Sequence, residues 1–344
     1  MNRATASAPA KAILVGEHAV NRGQAALAVS VGLYATCTLE LGDPVIGHPQ
    51  GYYFVGGGHT HTTTRSAILE LGQTIDRWRS GQHYAAIQEL ARADFFAPAK
   101  YVLAALGTTL PPALAITFTS AIPSSAGLGS GGASFVALVA ALARLLGQAA
   151  GPRQLAAWAH RGDLVAHGGI ASGLDTQTSL YGGVIRYTAT AEGEPIPAAE
   201  GLALVIGNTG VTAATSEVNQ RVRAWLAARP VRKHYFEEIG LLARLAETAL
   251  RIGDWPELGR LLNLNQLLLE RIGVSCPELE TLIDAALEAG ALGAKLSGSG
   301  GGGIMIALVT PETIASVAQA IASAGGTPII APIGVPGVQV EGGP

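Results

Sequence analysis

Pro123-Ser-Ser-Ala-Gly-Leu-Gly-Ser-Gly-Gly-Ala133 follows a β-rich run at residues 114–119 and precedes a mostly apolar segment, residues 133–146, that reads as a helix. The order is strand, glycine loop, helix. Glycines lack a Cβ, so backbone N–H groups can converge on one point, and the N-terminus of the following helix adds partial positive charge. The stretch suits a phosphate, although its letters alone leave a tight turn and a dinucleotide site open. Gly127-Leu-Gly129-Ser-Gly131-Gly132 matches GxGxxG, but that fingerprint wants an acid about 20 residues on for a ribose. The next acid is Asp163. No Gly-Lys dipeptide occurs in the chain, which excludes a Walker loop.

Working outward, residues 12–15 and 26–40 read as paired strands around the turn Asn21-Arg22-Gly23. Residues 85–92 and 97–107 look helical, and residues 152–165 form a further helix begun by Gly151-Pro152. The polar stretch 188–201 is the expected domain boundary, giving units of 1–190 and 191–344. Beyond it, residues 202–206 and 304–309 read as strands. Residues 215–228, 236–252, 255–272, 277–289 and 313–324 read as helices.

The 344 residues suit two domains, and 49% apolar with 14% charged residues allows a large core without long disordered stretches. A net charge of −3 without a Lys/Arg run gives no electrostatic footprint for nucleic acid or an anionic membrane. The longest apolar run free of Gly and Pro, residues 135–143, is far short of the roughly 20 residues a membrane span needs. The first ten residues do not read as a secretory signal. Cys37 and Cys276 lie far apart without CxxC spacing, so neither a disulfide framework nor a thiolate metal site is expected, and a reducing cytoplasm fits.

Three more segments could carry chemistry. Ala8-Pro-Ala-Lys-Ala-Ile-Leu-Val-Gly-Glu-His-Ala-Val20 interrupts a strand-like run with three polar groups, and Lys11 is one of only four lysines. His167-Gly-Gly-Ile-Ala-Ser-Gly-Leu-Asp-Thr-Gln-Thr178 places Asp175 in a glycine-rich turn entering a helix, where it could equally be an N-cap. Asp163 precedes His167 by one helical turn, which puts both on one side. Lys295-Leu-Ser-Gly-Ser-Gly-Gly-Gly-Gly303 is a second backbone nest for an anion, or a close packing site.

Taken jointly and in order, the Lys11 strand, the glycine loop and the 295–303 segment resemble the three motifs of the GHMP kinase superfamily. Gly16-Glu-His-Ala-Val20, Ser172-Gly-Leu-Asp175, Tyr181-Gly-Gly183 and Asn208-Thr-Gly210 look most like its mevalonate kinase branch. The resemblance implies an α+β fold of two domains, ribosomal-protein-S5-like then ferredoxin-like, with the active site between them. It implies ATP- and Mg²⁺-dependent phosphorylation of the 5-hydroxyl of mevalonate, a step of isoprenoid precursor synthesis. The alternatives are a kinase for another small alcohol (phosphomevalonate, the 3-hydroxyl of mevalonate, a sugar) and a nucleotide or metabolite binder without turnover. A small-molecule substrate, no nucleic acid, no membrane and a homodimer complete the expectation.

By the same resemblance Asp175 falls at the catalytic aspartate and Lys11 at its neighbouring lysine. A carboxylate there accepts the hydroxyl proton, while an ammonium steadies transition-state charge. Pro123, Ser124, Ser125, Ala126, Gly127, Leu128, Gly129, Ser130, Gly131 and Gly132 fall in the phosphate loop. Ser130 and Asp163 fall at the Mg²⁺ positions. Glu17, His18, Ser172, Thr215, Ser297 and Gly300 fall on the substrate side. Three departures stand out: Gly131 replaces the loop's second serine, Ala10 replaces the glycine before the lysine, and Ala213 stands where some mevalonate kinases carry an arginine.

Overall fold

The computed structural model describes residues 2–42, 51–124, 126–189 and 191–342, with Ala191 described by its backbone alone; Ser125 of the glycine loop lies outside the described residues. β1 (Arg3–Val15) and β2 (Ala26–Leu41) form a long antiparallel pair joined by a short 3₁₀ turn at Val20–Arg22. β1 is buried along almost its whole length, which alternating strands with one wet face are not. Both of its faces are therefore covered. β3 (Gly51–Gly56) and β4 (His59–Thr64) make a hairpin, followed by α1 (Arg65–Ser80), α2 (Tyr84–Ala93) and α3 (Ala97–Ala104). β5 (Leu114–Ser120) runs antiparallel to β2 and parallel to β3.

The glycine loop leads into α4 (Ser130–Leu145), whose buried side includes Ala133, Val136, Ala137, Ala140 and Ala141. Small residues let this helix lie close across β1 and β2, with α5 (Pro152–Ala166) packed on it. α6 (Leu174–Tyr181) ends at Gly182, and β6 (Val184–Thr188) pairs with β2 and with β7 (Ala191–Ile196).

A second sheet begins with β8 (Leu204–Asn208). α7 (Thr215–Ala228), α8 (Lys233–Ile252), α9 (Trp255–Ile272) and α10 (Pro277–Glu288) follow. β9 (Gly293–Ser297) and β10 (Ile304–Leu308) then flank the second glycine run, and α11 (Ile314–Ser323) precedes β11 (Thr327–Ile329). The four strands are ordered β11-β8-β10-β9, all antiparallel. β12 (Gln339–Val340) returns to the first sheet, ordered β12-β1-β2-β5-β3-β4. This is the expected α+β architecture. Among the described residues no helix is long and apolar enough to cross a membrane.

The sequence reading missed the β3–β4 hairpin, α1 and β9, and it began β1, α4 and α8 several residues late. β4 is His-Thr-His-Thr-Thr-Thr, polar on both faces, so it lacks the alternation that marks a strand. Residues 105–107 leave the expected helix, because α3 stops at Ala104 and a 3₁₀ turn follows at Gly107–Thr109.

Candidate active site

β1 changes register on β2 between Pro9 and Ala10. Proline has no N–H for the ladder, and the irregularity re-aims the residues after it, a common device beside functional sites. β12 covers β1 only at Ala6 and Ser7. Farther along, the Lys11 N–H donates to the Leu128 carbonyl at 2.9 Å, so the glycine loop takes over that edge. The Lys11 side chain is buried, and its ammonium lies 3.1 Å from Asp175 Oδ1 and 3.1 Å from the Gly127 carbonyl oxygen.

Asp175 is the second residue of α6; the N-cap is Gly173, in the left-handed region at φ 85°. The aspartate therefore faces Lys11 instead of capping its own helix. α4 and α6 meet at their N-termini, and a Cβ on Gly132 would lie 3.0 Å from Asp175 Cβ. Gly129, the N-cap of α4 at φ 72°, is tighter still, with its hypothetical Cβ 2.8 Å from Lys11 Cγ. No side chain caps α4, and its first intrahelical bond runs from Ala133 N–H to Gly129 C=O. The amides before Ala133 are therefore free to meet an anion.

A cavity of about 520 Å³ opens in front of this pair. Of the glycine loop, Ala126, Gly127, Gly129, Ser130, Gly131 and Gly132 line it, whereas Pro123, Ser124 and Leu128 do not. Asp163, on α5, also lines it. The carboxyl is buried and its Oδ1 has no partner. Burial, with the nearby Asp175 charge adding, pushes the Asp163 carboxyl up to about 7, against opposing pulls from His167 and Lys11. A Cβ on Gly131 would stand 3.9 Å from that oxygen.

Among the described residues no cluster of three or more His, Cys, Asp or Glu side chains gathers as a metal centre. Mg²⁺ held by one or two protein oxygens plus substrate phosphates needs no such cluster. The orphaned Asp163 oxygen beside the α4 N-terminus fits that kind of site, with the Ser130 hydroxyl as the loop's contribution.

His18, which also lines the cavity, holds a left-handed φ of 59°. Its Nε2 lies 2.9 Å from the Ser299 carbonyl and must donate to it, which leaves Nδ1 as an unprotonated acceptor with no geometrically sound hydrogen bond, although the Asn219 side chain is near enough to act on the ring. Burial lowers the His18 imidazole to about 4, so the ring is neutral at ordinary pH. Thr215 Oγ1 is 3.2 Å from Ser299 Oγ.

Other expected substrate-side residues are already engaged. The Ser172 hydroxyl accepts from Leu174 N–H at 3.2 Å, and the Ser297 hydroxyl accepts from Ile13 N–H at 2.8 Å. Gly300 packs on backbone, its hypothetical Cβ 2.0 Å from the Val274 carbonyl oxygen. One Glu17 oxygen is ion-paired with Lys295 and the other, Oε2, has no partner. Burial pushes the Glu17 carboxyl up and the Lys295 ammonium down, each opposed by the other's charge.

The site also contains residues that the motifs did not point to, Gln88 and Arg92 on α2 and Asn219 on α7, and Ser299, which lies within the 295–303 segment but was not singled out there. Asn219 was within reach of sequence reasoning, since it follows Thr215 by four residues on one helix face.

The sequence matches the description "GHMP kinases N terminal domain" over residues 95–183 and "GHMP kinases C terminal" over residues 246–327. It is 34% identical to the mevalonate kinase of Thermococcus sibiricus and 35% to that of Thermococcus gammatolerans, in each case over 98% of both chains. The fold is similar to the crystal structure of L. major mevalonate kinase in complex with R-mevalonate (TM-score 0.73, 26% identity, 96% and 95% of the two chains). It is also similar to the Methanococcus jannaschii mevalonate kinase, with a TM-score of 0.76 at 21% identity over 94% and 96% of the chains.

Proposed function

Because this chain belongs to the GHMP kinase family, we propose that it transfers the γ-phosphoryl group of ATP to the 5-hydroxyl of mevalonate, giving 5-phosphomevalonate and ADP. The observation that carries the reading is the Lys11–Asp175 pair, 3.1 Å apart, beneath the uncapped N-terminus of α4. The Asp175 carboxylate accepts the hydroxyl proton as the substrate oxygen bonds to phosphorus and the bond to ADP breaks. The Lys11 ammonium sets positive charge where the proton's departure leaves negative charge on the attacking oxygen. The free amides of the glycine loop hold the phosphates, and the loop's close packing on Lys11 keeps them in register with the acceptor.

Asp163 and Ser130 are the residues that would hold Mg²⁺, which when bound neutralises phosphate charge. His18, Thr215 and Asn219 face the alcohol side. Glu17, Ser172, Ser297 and Gly300 act there as supports. Similarity over 98% of two mevalonate kinases supports this substrate over the other alcohols. A protein without turnover is not favoured, because a buried lysine paired with a partly exposed aspartate at a cavity is charge arranged for chemistry. The same reading divides the chain near residue 190, with β7 and β12 reaching back to the first sheet. It places the enzyme in the cytoplasm, without nucleic-acid or membrane partners, and expects a homodimer.

Purified protein with ATP and Mg²⁺ should convert mevalonate to 5-phosphomevalonate. ADP release at background with mevalonate, but raised by phosphomevalonate or a sugar, would move the substrate assignment to that alcohol. Light scattering of the same sample reads the assembly.

A further inference from the structure

Besides the imidazoles of His18 and His167, five ionisable side chains line the cavity: Lys11, Glu17, Arg92, Asp163 and Asp175. Lys11 is engaged by Asp175, and Glu17 by Lys295. Asp163 is buried and fits a metal. Arg92 is left over. It is exposed, and among the described residues it joins no ion pair and donates no side-chain hydrogen bond, which makes it the unpartnered cation of the cavity wall.

The packing of α2 fixes where this cation enters. Tyr84, Gln88 and Arg92 are spaced four residues apart and form one ridge of the helix. The first two are seated on the turn that follows α5. A Cβ on Gly169 would lie 2.5 Å from Tyr84 Cδ1, and one on Gly168 would lie 2.5 Å from Gln88 Cγ; both glycines are left-handed, at φ 101° and 72°. These contacts run backwards along the chain, from 169 to 168, so the next position of the ridge leads toward His167 and Ala166 at the end of α5. Ala91, the neighbour of Arg92, packs on the same buried cluster as Val165 and Ala97, which holds the end of α2 there. Ala166 follows Asp163 by three residues on α5, and both line the cavity. Arg92 therefore joins the cavity on the side of Asp163 and the α4 N-terminus, where the phosphates are held.

That side lacks a cation of its own. The glycine loop, residues 123–133, contains neither Lys nor Arg, so its amides offer dipoles but no full charge. Lys11 is held beside the acceptor by Asp175. ATP carries more negative charge than one Mg²⁺ neutralises, and phosphoryl transfer is accelerated chiefly by positioning and by charge placed on the moving group. A guanidinium stays protonated at any working pH and meets phosphate oxygens with a planar fork of donors. We propose that Arg92 is the cation that reaches the γ-phosphoryl group of ATP, supplying from α2 the positive charge that the glycine loop lacks. Gly168 and Gly169 let α2 approach closely enough for this reach.

Calorimetry of AMP, ADP and ATP binding, each with Mg²⁺, to wild type and to Arg92→Gln tests this without reference to the alcohol. Arg92 is exposed, so the substitution leaves the core intact. AMP and ADP should bind Arg92→Gln within about twofold of wild type, while ATP binds about tenfold more weakly. Arg92→Lys, which keeps the charge without the fork, should fall between the two for ATP. In turnover, an arm that rests on the mevalonate reading, kcat/KM for ATP should drop tenfold or more in Arg92→Gln. An ATP affinity equal to that of wild type overturns the proposal. So does an equal weakening of AMP and ATP, which would put Arg92 on the nucleoside, or of ADP and ATP, which would put it on the β-phosphate. A wild type that shows the expected nucleotide series but leaves mevalonate unphosphorylated refutes only the substrate assignment.

Discussion

Lys11 and Asp175 come from distant parts of the sequence, yet their charged atoms stand 3.1 Å apart because a glycine-lined gap lets α4 and α6 close on β1. If this pair performs the proton transfer, Asp175→Asn removes the base while keeping the side chain's shape. We expect kcat to fall by roughly 10²- to 10⁴-fold, the usual range for a lost general base. ATP binding, measured by calorimetry, should change little, since the phosphates are held by the loop amides. Retained turnover in Asp175→Asn would remove the aspartate from the chemistry.

The glycine loop separates two kinds of glycine. At Gly129 a Cβ would meet Lys11 Cγ at 2.8 Å with φ at 72°, so Gly129→Ala should cost about 1–2 kcal/mol of backbone strain and displace the lysine. At Gly131 the nearest atom to a Cβ is 3.5 Å away on Phe135, with Asp163 Oδ1 at 3.9 Å, and φ is not in the left-handed region. Gly131→Ser should therefore fold normally and add a hydroxyl beside the orphaned carboxylate. The expected outcome is a severalfold lower Mg²⁺ requirement in a metal titration of activity for Gly131→Ser and a loss of more than tenfold in kcat for Gly129→Ala. Equal damage from both would show that the loop tolerates no side chain anywhere.

Asp163 should destabilise the protein it serves. Its carboxyl is raised to about 7 in the folded state against 3.8 as the unperturbed value. Between those values the folded chain holds a proton that the unfolded chain has released, so stability falls as pH rises and the loss is complete above about 7. The penalty at pH 8 is on the order of 4 kcal/mol. Asp163→Asn should then melt several degrees higher than wild type at pH 8 without Mg²⁺, and the difference should vanish near pH 4. The variant should also lose the stabilisation by Mg²⁺ and ATP that wild type shows. A wild type whose melting temperature matches the variant's at pH 8 would contradict the burial argument.

What the sequence disclosed follows from how local each signal is. The glycine loop, the Lys11 strand and the Asp175 turn each announce themselves within a dozen residues, because backbone conformation there is written in glycines. Their pairing is not local. Asp175 has no basic neighbour in sequence, and its partner is supplied by a strand more than 160 positions earlier. Lys295 was legible as the opening residue of the second glycine run; that it pairs with Glu17 depends on how the two sheets meet. α1 was missed although Ile68, Gly72 and Ile75 mark a helical face and Thr64 accepts from Ala67 N–H as its cap. Charged residues are interspersed among its apolar ones, and only packing against α3 selects the narrow buried stripe.

His18 ties specificity to acid stability. The imidazole is lowered to about 4 by burial, against 6.5 as the unperturbed value. Below 6.5 the unfolded chain gains a proton that the folded ring refuses, so this contribution to stability is whole above 6.5 and is lost as pH falls through 4. Wild type should lose roughly 3 kcal/mol through this group by pH 4, and His18→Gln should lose correspondingly less. Throughout the neutral range the ring keeps one tautomer, with Nε2 donating to Ser299 and Nδ1 accepting. A substrate hydroxyl that is not phosphorylated is the natural donor, and in mevalonate that is the 3-hydroxyl. The 3-deoxy analogue should therefore lose roughly 10- to 100-fold in kcat/KM with wild type, since a buried acceptor is left unpaired. With His18→Leu the two substrates should differ by threefold or less, because the acceptor is gone. If removing the hydroxyl costs the same in both enzymes, His18 does not read it.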